Sequence, residues 1–200
     1  MEEDYFYQQL GKSIQAWLCV ESEVYFLYSA IMYRANQHLI SVTFNHIQSF
    51  RSKIALIDSC LKLVLDRKSE KWKQWKLLYK KAENLNLKRN KIVHEPVIQG
   101  VEDGVKSIFI APSCFNALAL VKGQTSHTGP VITSEYKPSQ AKMLNDHKVN
   151  LNQLRKFEGL FKDFSIELNE FKKSIIPLIK EANKSVHGQK SIITIIRRST

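Results

Sequence analysis

A row of apolar side chains in residues 154–178 constrains the fold more than any other feature of the sequence. Its members recur at alternating spacings of three and four residues: Leu154, Phe157, Phe161, Phe164, Leu168, Phe171, Ile175 and Leu178. This spacing places them on one side of an α-helix and predicts a helix packed lengthwise on others. We expect Pro177 to kink or end that helix, with a short helix restarting after it. Residues 188–200 are expected to form a C-terminal tail that is a strand, a packed arm or disordered chain.

Two earlier segments carry the same spacing. The row in residues 4–36 includes one carboxylate, at Glu21: Leu10, Ile14, Trp17, Glu21, Val24, Tyr28 and Ile31. The row in residues 43–66 is unbroken: Ile47, Phe50, Ile54, Ile57, Leu61 and Val64. We expect Thr43 to be the N-cap of this second helix. Because an unpaired buried carboxylate is costly, Glu21 is expected to have a buried partner or to face a polar cleft.

The remaining chain divides into a third helix and an insertion. The third helix is expected to begin near Ser69 and to end at His94 or Glu95, because Pro96 disfavours helical geometry in the residue before it. Residues 97–142 form the insertion, which begins with two short β-prone runs around a Glu-Asp-Gly turn signal. The stretches "NALALVKG" and "PVITSEY" are further candidate strands. Residues 123–142 are expected to be the least ordered part of the insertion.

These segments predict a mainly α fold. We expect an antiparallel up-and-down four-helix bundle with a small β-hairpin or β insertion between helices 3 and 4. The sequence contains no visible internal repeat and no second domain, so residues 1–200 are interpreted as a single helical domain.

Charge and cysteine content limit the classes of function. Thirty Lys and Arg against nineteen Asp and Glu give a net charge of +11, which attracts phosphates of nucleic acid or of an anionic membrane. Excess lysine that only keeps the protein in solution explains the charge equally well. The three cysteines form no CxxC pair, and Cys19 and Cys60 lie in helical patterns, where cysteine is usually a small buried residue. With an acidic N-terminus and no long apolar run, the sequence predicts a cytoplasmic protein without a membrane span.

The stretch "LKRNKIVHEPV", residues 87–97, places unusual chemistry at the end of the third helix. Asn90 and His94 lie one turn apart on the same face of the helix. Arg89 is adjacent to Asn90, about 100° round the helix axis, so all three side chains can border one patch. The patch offers an imidazole for proton transfer, a guanidinium for phosphate oxygens and an orienting amide. No acidic cluster lies nearby and no histidine has zinc-type spacing with cysteine, so we predict neither metal nor cofactor. A basic helix end that complements the helix dipole is the ordinary alternative.

The Arg-Asn pair followed by three residues and a histidine, at the end of the third helix, resembles the RxxxxH signature of the HEPN superfamily. The resemblance covers residues 5–95 and 144–180. It implies a metal-independent endoribonuclease in which His94 assists attack of an RNA 2′-hydroxyl on the adjacent phosphate. Arg89 would balance charge on the five-coordinate phosphorus, and Asn90 would hold the phosphate or the histidine. The products would be a 2′,3′-cyclic phosphate and a free 5′-hydroxyl, formed at a composite site in a homodimer.

Other residues fit this resemblance. Glu21 would pair with Arg89 and hold it in position, with Arg51 or Lys53 as alternative partners. A basic face on the third helix would guide RNA towards the motif, although a solvated surface explains it nearly as well: Lys73, Lys76 and Lys80, continued by Lys88 and Lys91. Trp72 and Trp75 are expected to pack in the core rather than to stack on bases. Pro96 stands where toxins of this superfamily often have a modified tyrosine, so that form of silencing is not expected.

Three functions therefore compete. The first is a HEPN-type endoribonuclease in prokaryotic defence or a toxin–antitoxin setting, with RNA, a second copy of the chain and an antitoxin or defence protein as partners. The second is a catalytically silent HEPN dimer that binds nucleic acid or nucleotides or serves in assembly. The third is a helical adaptor in which the motif is coincidental.

Overall fold

The computed structural model describes the backbone of residues 2–102, 105–112, 125–126, 129–132 and 147–198, and the side chains of residues 3–99, 107–112 and 147–181. The helices of this part are α1 (Glu2–Ile31), α2 (Gln37–His46), α3 (Phe50–Val64), α4 (Glu70–His94) and α5 (Leu151–Arg198). Its strands are β1 (Val97–Glu102), β2 (Val105–Ile110), β3 (Thr125–Ser126) and β4 (Gly129–Ile132). The chain is therefore mainly helical, with its strands between α4 and α5, as predicted. Within these ranges no helix has both the length and the apolar character needed to span a membrane.

The strands form a small sheet in the order β2-β1-β4-β3. Strands β1 and β2 pair antiparallel from Val97 opposite Ile110 to Glu102 opposite Val105, which confirms the predicted hairpin. Strand β4 pairs parallel with β1 and antiparallel with β3, and it contains the first residues of "PVITSEY". The turn residues 103–104 and the predicted strand "NALALVKG" at 116–123 lie outside the described residues.

Helix α2 was not predicted. Asn36 caps it by accepting a hydrogen bond from the backbone N–H of His38 at 2.8 Å, and Ile40 and Phe44 are its buried residues. Two buried positions are too few to produce a visible period in the sequence. The prediction that Thr43 is an N-cap is wrong, because its hydroxyl lies inside α2 and donates to the carbonyl of Leu39 at 2.8 Å.

Helix α3 begins at Phe50 rather than at residue 43. The Ser49 hydroxyl oxygen accepts the N–H of Ser52 at 3.0 Å, which makes Ser49 the N-cap. The predicted core of this helix is confirmed, since Phe50, Ile54, Ile57 and Leu61 are buried. Ile47, the first member of the predicted row, belongs to the connection between α2 and α3.

The expectation that the helix could end at Pro177 is also wrong. Helix α5 continues through Pro177 to Arg198, so residues 188–198 extend the helix rather than form a separate tail. Pro177 is exposed, and a carbonyl that loses its helical partner at a proline can be satisfied by water on an exposed face. The buried row of α5 otherwise follows the prediction from Leu154 to Ile175, and then Ile179 is buried in place of Leu178.

The contacts of the chain divide it into two compact units. The first unit contains Met1–Cys19 and Leu85–Lys162. Its core includes Trp17, whose ring lies edge-on to Phe161 with centroids 5.1 Å apart. Ser13 is fully buried and donates to the carbonyl of Leu154 at 2.9 Å, so a polar side chain joins α1 to α5 here. Cys19 is exposed, contrary to the expectation for a helical cysteine.

The second unit contains Val20–Asn84 and Asp163–Thr200. Trp75 is fully buried and stacks on Phe171 with ring centroids 5.7 Å apart, which confirms its predicted place in the core; Trp72 is half-buried. Further along, Lys81 forms an ion pair with Glu167 at 2.6 Å. Lys81 follows Trp75 along α4, whereas its partner Glu167 precedes Phe171 along α5. The two helices therefore run antiparallel in this unit.

Asp58 is the buried carboxylate of the second unit. Its Oδ1 accepts the indole N–H of Trp75 at 2.9 Å and the ammonium of Lys76 at 3.2 Å, while Oδ2 pairs with Lys62 at 2.7 Å. Burial by itself raises the pKa of Asp58, but hydrogen bonds from Lys62, Trp75 and Lys76 outweigh it and leave this pKa below its ordinary value. The charged form is therefore the one that the fold stabilises.

We expect Asp58→Ala to lower the free energy of unfolding by about 2 kcal/mol, because it leaves the buried indole N–H of Trp75 without an acceptor. Lys73→Ala is the matched control, since it removes only an exposed ion pair with Glu70, and it should change that free energy by less than about 0.5 kcal/mol. Urea unfolding monitored by tryptophan fluorescence measures both. Equal effects of the two substitutions would contradict the structural role of Asp58.

The lowered pKa of Asp58 also predicts a pH dependence. A carboxyl whose pKa is lower in the folded protein contributes stability that is fully present above its ordinary value of 3.8 and is lost as the pH falls through the folded value. The free-energy difference between wild type and Asp58→Asn should therefore be constant near neutral pH and shrink only in acid below about pH 4. A difference that stayed the same down to the acid limit of folding would contradict the stabilised carboxylate.

Candidate active site at the end of helix α4

Helix α4 ends where the sequence predicted. The backbone N–H of Glu95 donates to the carbonyl of Lys91 at 3.2 Å, which closes the last turn at His94. Pro96 cannot donate a backbone hydrogen bond, but its carbonyl accepts the N–H of Ala111 at 3.2 Å. The chain thus passes from helix to hairpin within two residues, and the sheet fixes the position of the helix end.

The apolar residues of this last part of α4 hold one face of the helix in the core of the first unit. Leu85 and Ile92 are buried, while Arg89 and Asn90 are half-buried and His94 is exposed. The motif therefore lies at the rim of the unit, with its charged and polar atoms near the surface. This arrangement suits a site that must stay folded and still reach a ligand.

One nitrogen of Arg89 joins the three predicted residues. Its Nη1 donates to Oδ1 of Asn90 at 3.2 Å and lies 3.2 Å from Nε2 of His94. A guanidinium has no acceptor, so the contact to His94 is a hydrogen bond only when Nε2 carries a lone pair and the ring proton is on Nδ1. In that tautomer the lone pair of Nε2 faces Nη1 of Arg89, and a substrate hydroxyl that took the place of Nη1 would meet an acceptor.

The same guanidinium has an unsatisfied donor. The Nε atom of Arg89 is buried and has no hydrogen-bond partner among the described residues. Buried donors are nearly always paired, because an unpaired one costs free energy. A phosphate oxygen that reached Nε after a small rotation of the side chain would satisfy this donor. This makes Arg89 the candidate anion-binding residue of the cluster.

Asn90 contacts the arginine of the motif. Its carboxamide oxygen accepts a hydrogen bond from Nη1 of Arg89, and its predicted contact with the phosphate or the histidine stays a prediction. The neighbouring Lys88 places its ammonium 5.5 Å from the ring centroid of Phe157 on α5 and thereby helps to hold α4 on α5. Lys91 is half-buried on the same last turn.

The other predicted residues lie in the second unit. Lys73 forms an exposed ion pair with Glu70, and Lys76 pairs with Asp58, so the predicted role of these lysines in RNA binding stays a prediction. Lys80 is exposed. Glu21 is half-exposed on α1, and its pairing with Arg89 stays a prediction.

Sequence reasoning missed the polar residues that support the fold. Asp58 is the only acidic residue of α3, and a tryptophan in a core row needs an acceptor for its indole N–H, so these two signals together could have identified their contact. The part of the chain that the structure describes contains no group of three or more His, Cys, Asp or Glu side chains that could hold a metal ion.

Comparison with models of protein families found no match for this chain. Searches of curated proteins and of solved structures likewise found none.

Proposed function

We propose that this protein is a metal-independent endoribonuclease of the HEPN type, which cleaves RNA by attack of a 2′-hydroxyl. The observation that carries the proposal is the single nitrogen, Nη1 of Arg89, that lies 3.2 Å from both Asn90 and His94. A base and an anion-binding group held together are what attack on a phosphodiester requires. In this proposal the four long helices, α1, α3, α4 and α5, form the bundle of that superfamily, and α2 is an additional helix.

The proposed reaction begins with an exchange of hydrogen bonds. The 2′-hydroxyl of the bound RNA replaces Arg89 as the donor to Nε2 of His94, and the guanidinium turns its free N–H groups to the phosphate. His94 then takes the proton as the 2′-oxygen attacks phosphorus, while Arg89 balances the charge that develops on the phosphoryl oxygens. The bond to the 5′-oxygen breaks, which leaves a 2′,3′-cyclic phosphate and a 5′-hydroxyl.

The proposed partners follow from charge and from exposed apolar surface. The net charge of +11 favours RNA as a substrate. Leu87 is 65% exposed and precedes His94 by two helical turns on the same side of α4. Its exposure fits a face that a second copy of the chain covers, which would bring two motifs together in a composite site. We propose a prokaryotic defence or toxin–antitoxin setting in the cytoplasm, with an antitoxin or defence protein as a controlling partner.

We expect the purified protein to cleave RNA in EDTA, and His94→Ala to reduce the rate at least about a hundredfold, because it removes the general base. His46→Ala is the matched control, since His46 is an exposed histidine at the end of α2, and it should cleave like wild type. Gel analysis of tRNA and total RNA, with enzymatic tests for the terminal cyclic phosphate, measures the outcome.

Equal activity of the His94→Ala and wild-type proteins at matched thermal stability would exclude this site. Absence of cleavage by every variant, combined with RNA binding that His94→Ala weakens, would favour the catalytically silent dimer instead.

We expect Leu87→Glu to shift the protein from dimer to monomer and to lower RNA cleavage, because a buried charge would then oppose the interface. Leu63→Glu is the control: this leucine on α3 is 88% exposed, and its substitution should change neither mass nor activity. Light scattering coupled to gel filtration gives the mass. A wild-type protein that is monomeric and active would contradict the composite site.

A further inference from the structure

The proposed reaction leaves one proton unassigned. Attack by the 2′-oxygen requires a base, and departure of the 5′-oxygen requires an acid to protonate it. In the structure His94 is disposed as the base, since its Nε2 faces the Nη1 donor of Arg89 at 3.2 Å. Another titratable group at the same end of the first unit can supply this acid.

Backbone hydrogen bonds bring a second histidine to this end. Val149 pairs with Ile110, exchanging N–H···O bonds of 2.8 and 3.0 Å, and so adds a short extended segment to the free edge of β2. Ile110 is in turn opposite Val97 at the start of β1. Val149 and Val97 are therefore separated by two strand spacings, about 10 Å.

The directions of these segments place the two histidines at one end of the sheet. Both β1 and the segment at Val149 pair antiparallel with β2, so they run in the same direction. His94 precedes Val97 by three residues and His147 precedes Val149 by two. Both side chains are exposed.

The neighbouring charged groups are less suited to protonate a leaving group. The ammonium of Lys148 lies 5.7 Å from the ring centroid of Phe109, and Lys91 and Glu95 are half-buried on the helix end. Within the described residues of the first unit, His94 and His147 are the two imidazoles. Imidazole is the side chain that most readily exchanges a proton near neutral pH.

We infer that His147 is a second catalytic residue, the general acid of the cleavage reaction. This inference rests on the proposed function. The 2′-oxygen forms its bond to phosphorus and gives its proton to Nε2 of His94. The bond from phosphorus to the 5′-oxygen breaks, and that oxygen takes a proton from the His147 imidazolium. Reversal of the two proton transfers with water as the nucleophile would open the cyclic phosphate.

The test uses a leaving group that needs no acid. One RNA oligonucleotide carries the ordinary scissile bond of the wild-type protein, and a second has sulfur in place of the 5′-bridging oxygen at that bond. A thiolate departs without protonation, so loss of a general acid slows the first substrate and spares the second. His147→Gln, His94→Gln and the control His46→Gln are compared at matched thermal stability.

We expect His147→Gln to cleave the ordinary bond at least about a hundredfold more slowly than wild type and the sulfur-containing bond at nearly the wild-type rate. His94→Gln should slow both, and His46→Gln neither. Wild-type cleavage of the ordinary bond by His147→Gln, or equal loss on both substrates, would overturn the role of His147 and leave the proposed function intact. A wild-type protein that cleaves neither substrate would overturn the proposed function itself.

Discussion

The structure depends on the packing of the buried row of side chains of α5 against the helices around it. Phe161 packs edge-on to Trp17 in the first unit, and in the second unit Phe171 stacks on Trp75. Each buried aromatic or aliphatic side chain of this row stabilises the fold by about 1.5–3 kcal/mol relative to leaving it in water. Because α4 packs on the same helix, its apolar residues are turned inward, and its motif is left at the rim of the first unit.

The candidate site owes its geometry to the way α4 ends. The helix ends at His94, two residues before Pro96, and the carbonyl of Pro96 accepts a hydrogen bond from Ala111 that ties the chain to the sheet. Strand β1 begins at Val97, so the sheet follows directly on the helix end that carries His94. The guanidinium of Arg89 then links the amide and the imidazole, so the positions of all three functional groups follow from one helix end and one side chain.

Helices whose apolar residues repeat over several turns could be predicted from the sequence, whereas the short helix α2 could not. The rows of α3 and α5 repeat over several turns, so most of their core positions were predicted correctly, with Ile47 and Leu178 among the exceptions. Pro96 predicted the end of α4, and the turn signal predicted the β1–β2 hairpin. Helix α2 buries only Ile40 and Phe44, which is too little for a period to be visible. The end of the helix expected at Pro177 was not found, since Pro177 is exposed and the helix continues through it. Exposure depends on the tertiary structure and could not be seen in the sequence. The spacing predicted that Arg89, Asn90 and His94 border one patch. Helical neighbours are three or four residues apart, so the contact of Arg89 with His94, five residues on, depends on rotamers that no spacing rule specifies, and so does its contact with Asn90.

The central claim is that RNA binds where Arg89 and His94 meet. The most direct measurement is NMR of the His94 imidazole and the Arg89 guanidinium during titration with a 2′-O-methyl RNA oligonucleotide, which binds but cannot be cleaved. The account predicts an Nδ1–H tautomer of His94 in the free protein, and saturable shifts of the His94 ring and the Arg89 Nε–H as RNA is added, with His38 and His46 unchanged. Saturated binding that left both resonances of the cluster in place would contradict it.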